Sequence, residues 1–252
     1  MSRLEFFKKE IFEILKTPKI IVLPAVALFF GMLSPITAKF INELIKALGG
    51  GISISIPEPT YIDSYAQLFK NHYTITAIVM IFVFMGLVAE EKQRGSAILV
   101  LTKNLSRLNF ILSKFFASIL LFTFAYILSA VICIYYTFIL FDVFWNPNLP
   151  LAIFMFWLYG VFLIALILFA SIISRSPAIA ALFGFIGFAV VSFLSSLPTI
   201  DKFSPGYMYG LGLNIMGGKN LPSDSIYPIV TSIILILLLI VSGIEIFKRQ
   251  EL

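Results

Sequence analysis

The stretch FFASILLFTFAYILSAVICIYYTFIL, residues 115–140, decides the fold because it contains no charged side chain. Its apolar residues run continuously instead of alternating, which is typical of a lipid-embedded helix and excludes a strand of a transmembrane barrel. A helix rises about 1.5 Å per residue, so about 20 apolar residues cross the hydrocarbon core. This stretch is therefore long enough to span a bilayer.

Five other stretches share this character, and each of the six holds 19 or more residues without a charge. The sequence places spans near 20–38, 71–89, 115–140, 151–173, 177–198 and 226–244. With no internal repeat or low-complexity tract, these stretches predict an all-α membrane protein with six transmembrane helices in one domain, residues 1–252.

The composition supports a membrane protein. Hydrophobic residues make up 60% of the chain, charged residues only 12%, and the mean hydropathy is +1.02. A soluble domain has about 25% charged residues, so this chain has too little polar surface to cover a soluble globule. The single cysteine, Cys133, lies inside a predicted span and excludes a disulfide framework.

The lysines and arginines predict the orientation. If the N-terminus is inside, 13 of them lie on the cytoplasmic side and 5 outside. Cytoplasmic loops carry this excess, so both termini are expected in the cytoplasm, with 39–70 and 200–225 as outer loops of a multi-pass cell-membrane protein. The net charge of +5 is then a topology signal, and no nucleic-acid partner is expected.

Residues 1–18 form a predicted amphipathic helix ahead of the first span. Leu4, Phe7 and Ile11 share one side, lysines occupy the other, and Pro18 ends the helix. The segment is too polar to span, so it is expected to lie in the cytoplasmic membrane interface. It could be a simple anchor or part of a functional unit.

The segment between spans two and three, residues 90–107, is the most informative. Gly95 is expected to break the helix leaving the membrane, and Ser96 to cap a short apolar helix that ends at Leu101. Asn104 or Ser106 then starts the helix of span three. A short apolar helix at this face needs a cover, which is either the lipid interface or a groove on a cytoplasmic partner.

The residue inventory argues against catalysis. His72 is the only histidine, so sites built on paired histidines are excluded. Gly218-Lys219-Asn220 is the nearest approach to a phosphate-binding loop, but Asn220 replaces the required Ser or Thr. No catalytic, cofactor or metal site is expected, and no charged group mid-span supports a proton relay.

The 90–114 segment resembles the permease subunits of type-2 ABC exporters. That family shows a Glu, three residues, Gly-Thr/Ser, leucines, Thr-x-Pro-x-Ser-Arg and a Gly-Lys before the third span. The matching residues are Glu91, Gly95, Ser96, Leu99, Leu101, Thr102, Leu105, Ser106, Arg107 and Lys114. Asn104 replaces the usual Pro and Ser113 the usual Gly. Six spans, an N-terminal elbow helix and the Phe247-Lys248-Arg249 end are similar as well.

The resemblance implies a permease that pairs with a second permease subunit, as a homodimer or heterodimer, and binds a separate ABC ATPase (nucleotide-binding) subunit. The short helix would be the coupling helix that docks into the ATPase. The docking residues implied are Glu91, Arg94, Gly95, Ser96, Ile98, Leu99, Leu101 and Arg107. A self-contained carrier or channel and a non-transporting scaffold remain alternatives, which would need no ATPase.

Overall fold

The computed structural model describes residues 3–48, 58–102 and 105–250, without the side chains of residues 3, 46–48 and 99–101. All regular structure in these ranges is helical. The helices are α1 Arg3–Lys16, α2 Lys19–Lys39, α3 Ile41–Leu48, α4 Tyr61–Asn71, α5 Ala77–Phe84, α6 Ala89–Gln93, α7 Ser96–Leu101, α8 Arg107–Phe141, α9 Leu149–Ile173, α10 Pro177–Leu194, α11 Tyr207–Met216 and α12 Ile226–Arg249.

The described residues contain six helical segments long and apolar enough to cross a membrane, as predicted. They are Lys19–Lys39, Tyr61–Gln93, Arg107–Phe141, Leu149–Ile173, Pro177–Leu194 and Pro222–Arg249. The chain is thus an all-α membrane protein. The middle of each predicted span lies within one of these helical segments. The ends differ from the prediction because polar caps and charged turns extend several helices beyond the uncharged stretches.

The second segment shows the largest shift, since it begins at Tyr61 instead of near residue 71. The Thr60 amide and hydroxyl both donate to the Asp63 carboxylate, at 2.7 and 2.8 Å. This capping box satisfies the first turn and fixes the helix start. The predicted outer loop 39–70 therefore contains both α3 and most of α4 among its described residues.

Helix α9 is the centre of the bundle, with most of its side chains buried. Its Gly160 lies against the Phe122 ring of α8, so closely that a Cβ there would meet ring carbons at 2.1–2.9 Å. Gly184 of α10 similarly faces Ile81 of α5. Gly184 thus serves the close packing of α10 within the bundle.

His72 lies inside the bundle rather than at its surface. It is buried in a π-helical turn, His72–Thr76, between α4 and α5. Its ring nitrogens lie 3.0 Å from the Thr76 hydroxyl and 2.9 Å from the Ser129 hydroxyl of α8. Both polar atoms of the ring are satisfied by uncharged groups, so His72 has a structural role in holding α4–α5 against α8.

Both ends of the described chain lie at the same end of the bundle as α6 and α7. Lys92 of α6 donates to the side chain of Gln250, which follows α12, at 3.2 Å. Lys9 of α1 pairs with Glu91 of α6 at 3.3 Å. We call this end of the bundle the α6–α7 end.

Candidate docking site and the ion-pair cluster beneath it

The second span does not run straight into the α6–α7 end but breaks at residues 85–88. Ser171 of α9 fills the break: its hydroxyl accepts from the amides of Val88 and Ala89, both at 3.0 Å, and donates to the Met85 carbonyl at 2.8 Å. Three backbone groups released by the break are thus satisfied. The buried end of α9 therefore fixes the direction in which α6 leaves the bundle.

Gly95 makes the second change of direction, between α6 and α7. Its φ of +69° lies in the left-handed region, which glycine adopts without steric cost, and this confirms the predicted break. Helix α7 then begins at Ser96, whose hydroxyl donates to the Glu91 carbonyl at 3.3 Å. Further along, Ser106 caps α8 by accepting from the Asn109 amide at 3.2 Å. Asn104 lies outside the described residues.

Two of the predicted docking side chains face outward. The Arg94 side chain is 72% exposed and pairs with Glu90 at 2.7 Å, one helical turn away. Ile98 is 43% exposed, whereas Ala97 beside it is fully buried. Helix α7 therefore holds one side against the bundle and presents the other outward. Leu99 and Leu101 belong to α7, but their side chains lie outside the described residues.

Glu91 faces inward and joins an ion-pair cluster. Its Oε1 lies 2.7 Å from the Nζ of Lys114 in α8, and the same Nζ lies 3.0 Å from Glu10 in α1. The exposed fractions of these side chains are 12% for Glu91, 2% for Lys114 and 6% for Glu10. One buried ammonium thus connects the N-terminal helix to the helix that leads into α7.

Lys9 and Glu13 complete the cluster at its open side. The Lys9 ammonium lies 3.1 Å from Glu10, 3.3 Å from Glu91 and 2.7 Å from Glu13. Burial lowers the pKa of Lys9, but the attraction of these three carboxylates outweighs it and holds that pKa above its ordinary value. Burial raises the pKa of Glu13, but the hydrogen bond from Lys9 and the charges of Lys114, Lys9 and Lys19 together outweigh it, so that pKa is lowered.

The carboxylates of Glu10, Glu13 and Glu91 lie close enough, within 4.8 Å of one another, to be tested as a cation site. Lys114 and Lys9 already place two ammonium groups among them. A divalent cation would have to displace these ammoniums. The donor set therefore fits an ion-pair network better than a metal site.

Arg107 belongs to a different contact. One of its guanidinium nitrogens donates to the Phe247 carbonyl and, at 3.0 Å, to the Gln250 carbonyl, both at the end of α12. Lys92 donates at 2.6 Å to the Ile172 carbonyl at the end of α9. These bonds give last-turn carbonyls their missing partners. They hold the last turn of α6 to the end of α9, and the start of α8 to the end of α12.

The structure therefore separates the predicted docking residues into two groups. Arg94 and Ile98 face outward, while Glu91 and Arg107 are occupied by contacts within the chain. Sequence reasoning counted Lys114 as a motif match without a role, and it did not single out Glu10. In the structure Glu10 lies one helical turn after Phe6, and both side chains are buried.

In the described ranges, six helices long and apolar enough to span a membrane, a break in the second and a short helix at one end define a multi-pass membrane protein. The profile of the family described as "ABC-2 family transporter protein" matches residues 4–252, and the chain belongs to that family. It is also 26% identical over 248 residues to the "Uncharacterized transmembrane protein YxlG" of Bacillus subtilis (strain 168). The match covers 97% of this chain and 96% of that protein.

Proposed function

We propose that this chain is the membrane-spanning permease subunit of an ATP-driven exporter and that residues 90–107 dock a separate ATPase subunit. The single observation that carries the proposal is the geometry of α7. This short helix follows the Gly95 turn and presents Ile98 outward, and Arg94, which ends α6 just before the turn, is exposed as well. An exposed apolar side chain next to an exposed cation is a suitable contact for a protein groove.

In this proposal, the energy for transport comes from the ATPase subunit. The sequence carries no recognisable phosphate-binding loop, and an ABC-2 permease works as the membrane component of a transporter. ATP-driven closure of the ATPase would move α7, and the bundle would respond as rigid helices. Because Glu91 is bound to Lys114 inside the chain, its role is to position α6 and α7 instead of contacting the ATPase.

A second permease subunit completes the proposed complex, as an identical or a related chain. Both termini and the α6–α7 end are on the cytoplasmic side in this proposal, which follows from the excess of lysine and arginine in those segments. The contacts that join α1, α6 and residue Gln250 at one end support a common side for all three.

Co-purification with an ABC ATPase encoded beside the gene tests the proposal. The tagged chain and the ATPase are expressed together, extracted in mild detergent and quantified. We expect equal amounts of the two subunits. Ile98→Asp should remove the ATPase because a carboxylate would be buried without a partner in the docking groove.

The matched control is Leu221→Asp, which places the same charge on a residue that is also exposed, beyond α11. This variant should retain the ATPase. If Ile98→Asp retains the ATPase as well as Leu221→Asp does, the docking assignment is wrong. If the wild-type chain purifies without any ATPase, a self-contained carrier or a scaffold replaces the exporter as the better interpretation.

A further inference from the structure

Two neighbouring depressions meet at the start of the first span. One, the charged cavity, has a volume of about 600 Å³ and lies between α1, α6 and the start of α8. The other, the apolar groove, has a volume of about 390 Å³ and is lined by Val22 of α2 together with Val79, Phe82 and Val83 of α5. Pro18 and Lys19 belong to the walls of both, so the two depressions are adjacent and share one wall.

The charges of the cavity are balanced but not fully paired. Four basic and four acidic side chains line it. Lys9 and Lys114 are held in the ion-pair cluster, and Arg94 is paired with Glu90. Among the described residues, Lys19 has neither an ion-pair nor a hydrogen-bond partner, although its side chain is half-buried in this wall. The cavity is therefore neutral overall, and the Lys19 ammonium is the cation in its described lining that has no ion-pair partner.

The depth of the site in the membrane follows from α2. This helix has 21 residues and is about 31 Å long, which matches a hydrocarbon core of about 30 Å. Lys19 is its first residue, so a bilayer matched to the length of α2 places it at headgroup level. Val22 lies one turn further in, and the groove continues among the apolar side chains of α5. The charged cavity thus faces headgroups and the apolar groove faces acyl chains.

We propose that this site binds a zwitterionic glycerophospholipid with a primary amine in its headgroup. The phosphate contacts Lys19, the amine contacts Glu13 or Glu90, and one acyl chain occupies the apolar groove. Each of these carboxylates uses one oxygen in its ion pair with a neighbouring cation. A net-neutral cavity favours a headgroup that carries both charges over an anionic one, and a primary ammonium donates hydrogen bonds that a trimethylammonium lacks.

This lipid is a resident ligand distinct from the cargo, and its cavity borders the proposed docking segment at Arg94 and Ser96. It would fill the space between α1, α2 and α5, next to the Glu10–Lys114–Glu91 cluster. Its occupancy would therefore hold the N-terminal helix against the second span.

Native mass spectrometry of the delipidated full chain in detergent tests the proposal. The protein is titrated with dioleoyl phosphatidylethanolamine, phosphatidylcholine, phosphatidylglycerol and, separately, inorganic phosphate. We expect one phosphatidylethanolamine per chain, bound about fivefold more tightly than the other two lipids, and no retained inorganic phosphate. Equal binding of phosphatidylglycerol or phosphatidylcholine, or tight binding of phosphate alone, would overturn the headgroup assignment.

Two pairs of variants locate the site. Lys19→Gln should weaken phosphatidylethanolamine binding about five- to tenfold, whereas Lys16→Gln, which removes an exposed lysine outside both walls, should not. Val22→Trp should fill the groove and weaken binding of all three lipids, while Ile21→Trp, on an exposed neighbour, should leave it unchanged. Equal binding by Lys19→Gln and Lys16→Gln refutes the proposal. A Val22→Trp variant that changes only the dimer fraction would assign the groove to a second copy of the chain.

Discussion

Replacing Lys114 with Met tests the ion-pair cluster directly. The ammonium lies 3.0 Å from Glu10 and 2.7 Å from Glu91, and its side chain is only 2% exposed. Removing it leaves two buried carboxylates with only Lys9 between them. Breaking a buried pair in this way costs about 3–5 kcal/mol. Because Lys9 remains within 3.3 Å of both, we expect a loss near the lower limit, about 3 kcal/mol, in the free energy of unfolding.

The assay is unfolding in mixed micelles by titration with sodium dodecyl sulfate, followed by circular dichroism. The control is Lys248→Met, which removes a lysine paired with Glu245 at 2.7 Å on an exposed surface. Such a pair contributes below about 1 kcal/mol. Adding Glu10→Gln and Glu91→Gln to Lys114→Met should restore most of the lost stability, because no uncompensated buried charge remains. If Lys114→Met and Lys248→Met unfold at the same detergent fraction, the cluster does not stabilise the fold.

Two further substitutions test the contacts that position α6 and the bundle core. Ser171→Ala leaves three backbone groups at the break in span two without their partner and should cost about 1–3 kcal/mol, seen as faster amide hydrogen exchange across residues 85–93. The nearby Ser174→Ala removes only a bond to a carbonyl in its own helix and should leave that exchange unchanged. Gly160→Ala forces the Phe122 ring to move and should cost about 1–3 kcal/mol of heat stability in detergent, whereas Gly210→Ala meets nothing within 4 Å and should lose none. Unchanged exchange in Ser171→Ala, or equal heat stability of the two glycine variants, would contradict these assignments.

The sequence could predict the spans because bilayer thickness imposes a length that uncharged stretches reveal directly. It could also predict the Gly95 break and the Ser106 cap, since both depend on local backbone chemistry. It could not predict the start of the second span at Tyr61, because that depends on a capping box in a polar segment. Hydropathy reports where a helix is apolar, not where its backbone hydrogen bonds begin.

The pairing of Lys114 with Glu10 and Glu91 was beyond sequence reasoning for a different reason. These partners are separated by 104 and 23 positions along the chain. Lys114 lies at the boundary between a charged segment and an apolar one, so it was interpreted as the residue before span three. Helix α8 in fact begins at Arg107, and its first two turns bring Lys114 inside the bundle. Only the packing of α1 across α8 reveals that this lysine is buried.

The cluster also limits how α7 can move. Glu91 precedes the Gly95 turn and is bound to Lys114. A displacement of α7 is therefore transmitted through this ion pair to α8 and α1, as well as through the backbone to the second span. The hydrogen bonds to Ser171 fix the first residue of α6 against α9. Helix α6 is thus held at its start by Ser171 and in its middle by Lys114, and a displacement of α7 must either rotate α6 about Ser171 or carry α1 with it. In the proposed transporter, the N-terminal helix would therefore move together with the docking helix, and separating the two would require breaking a buried ion pair.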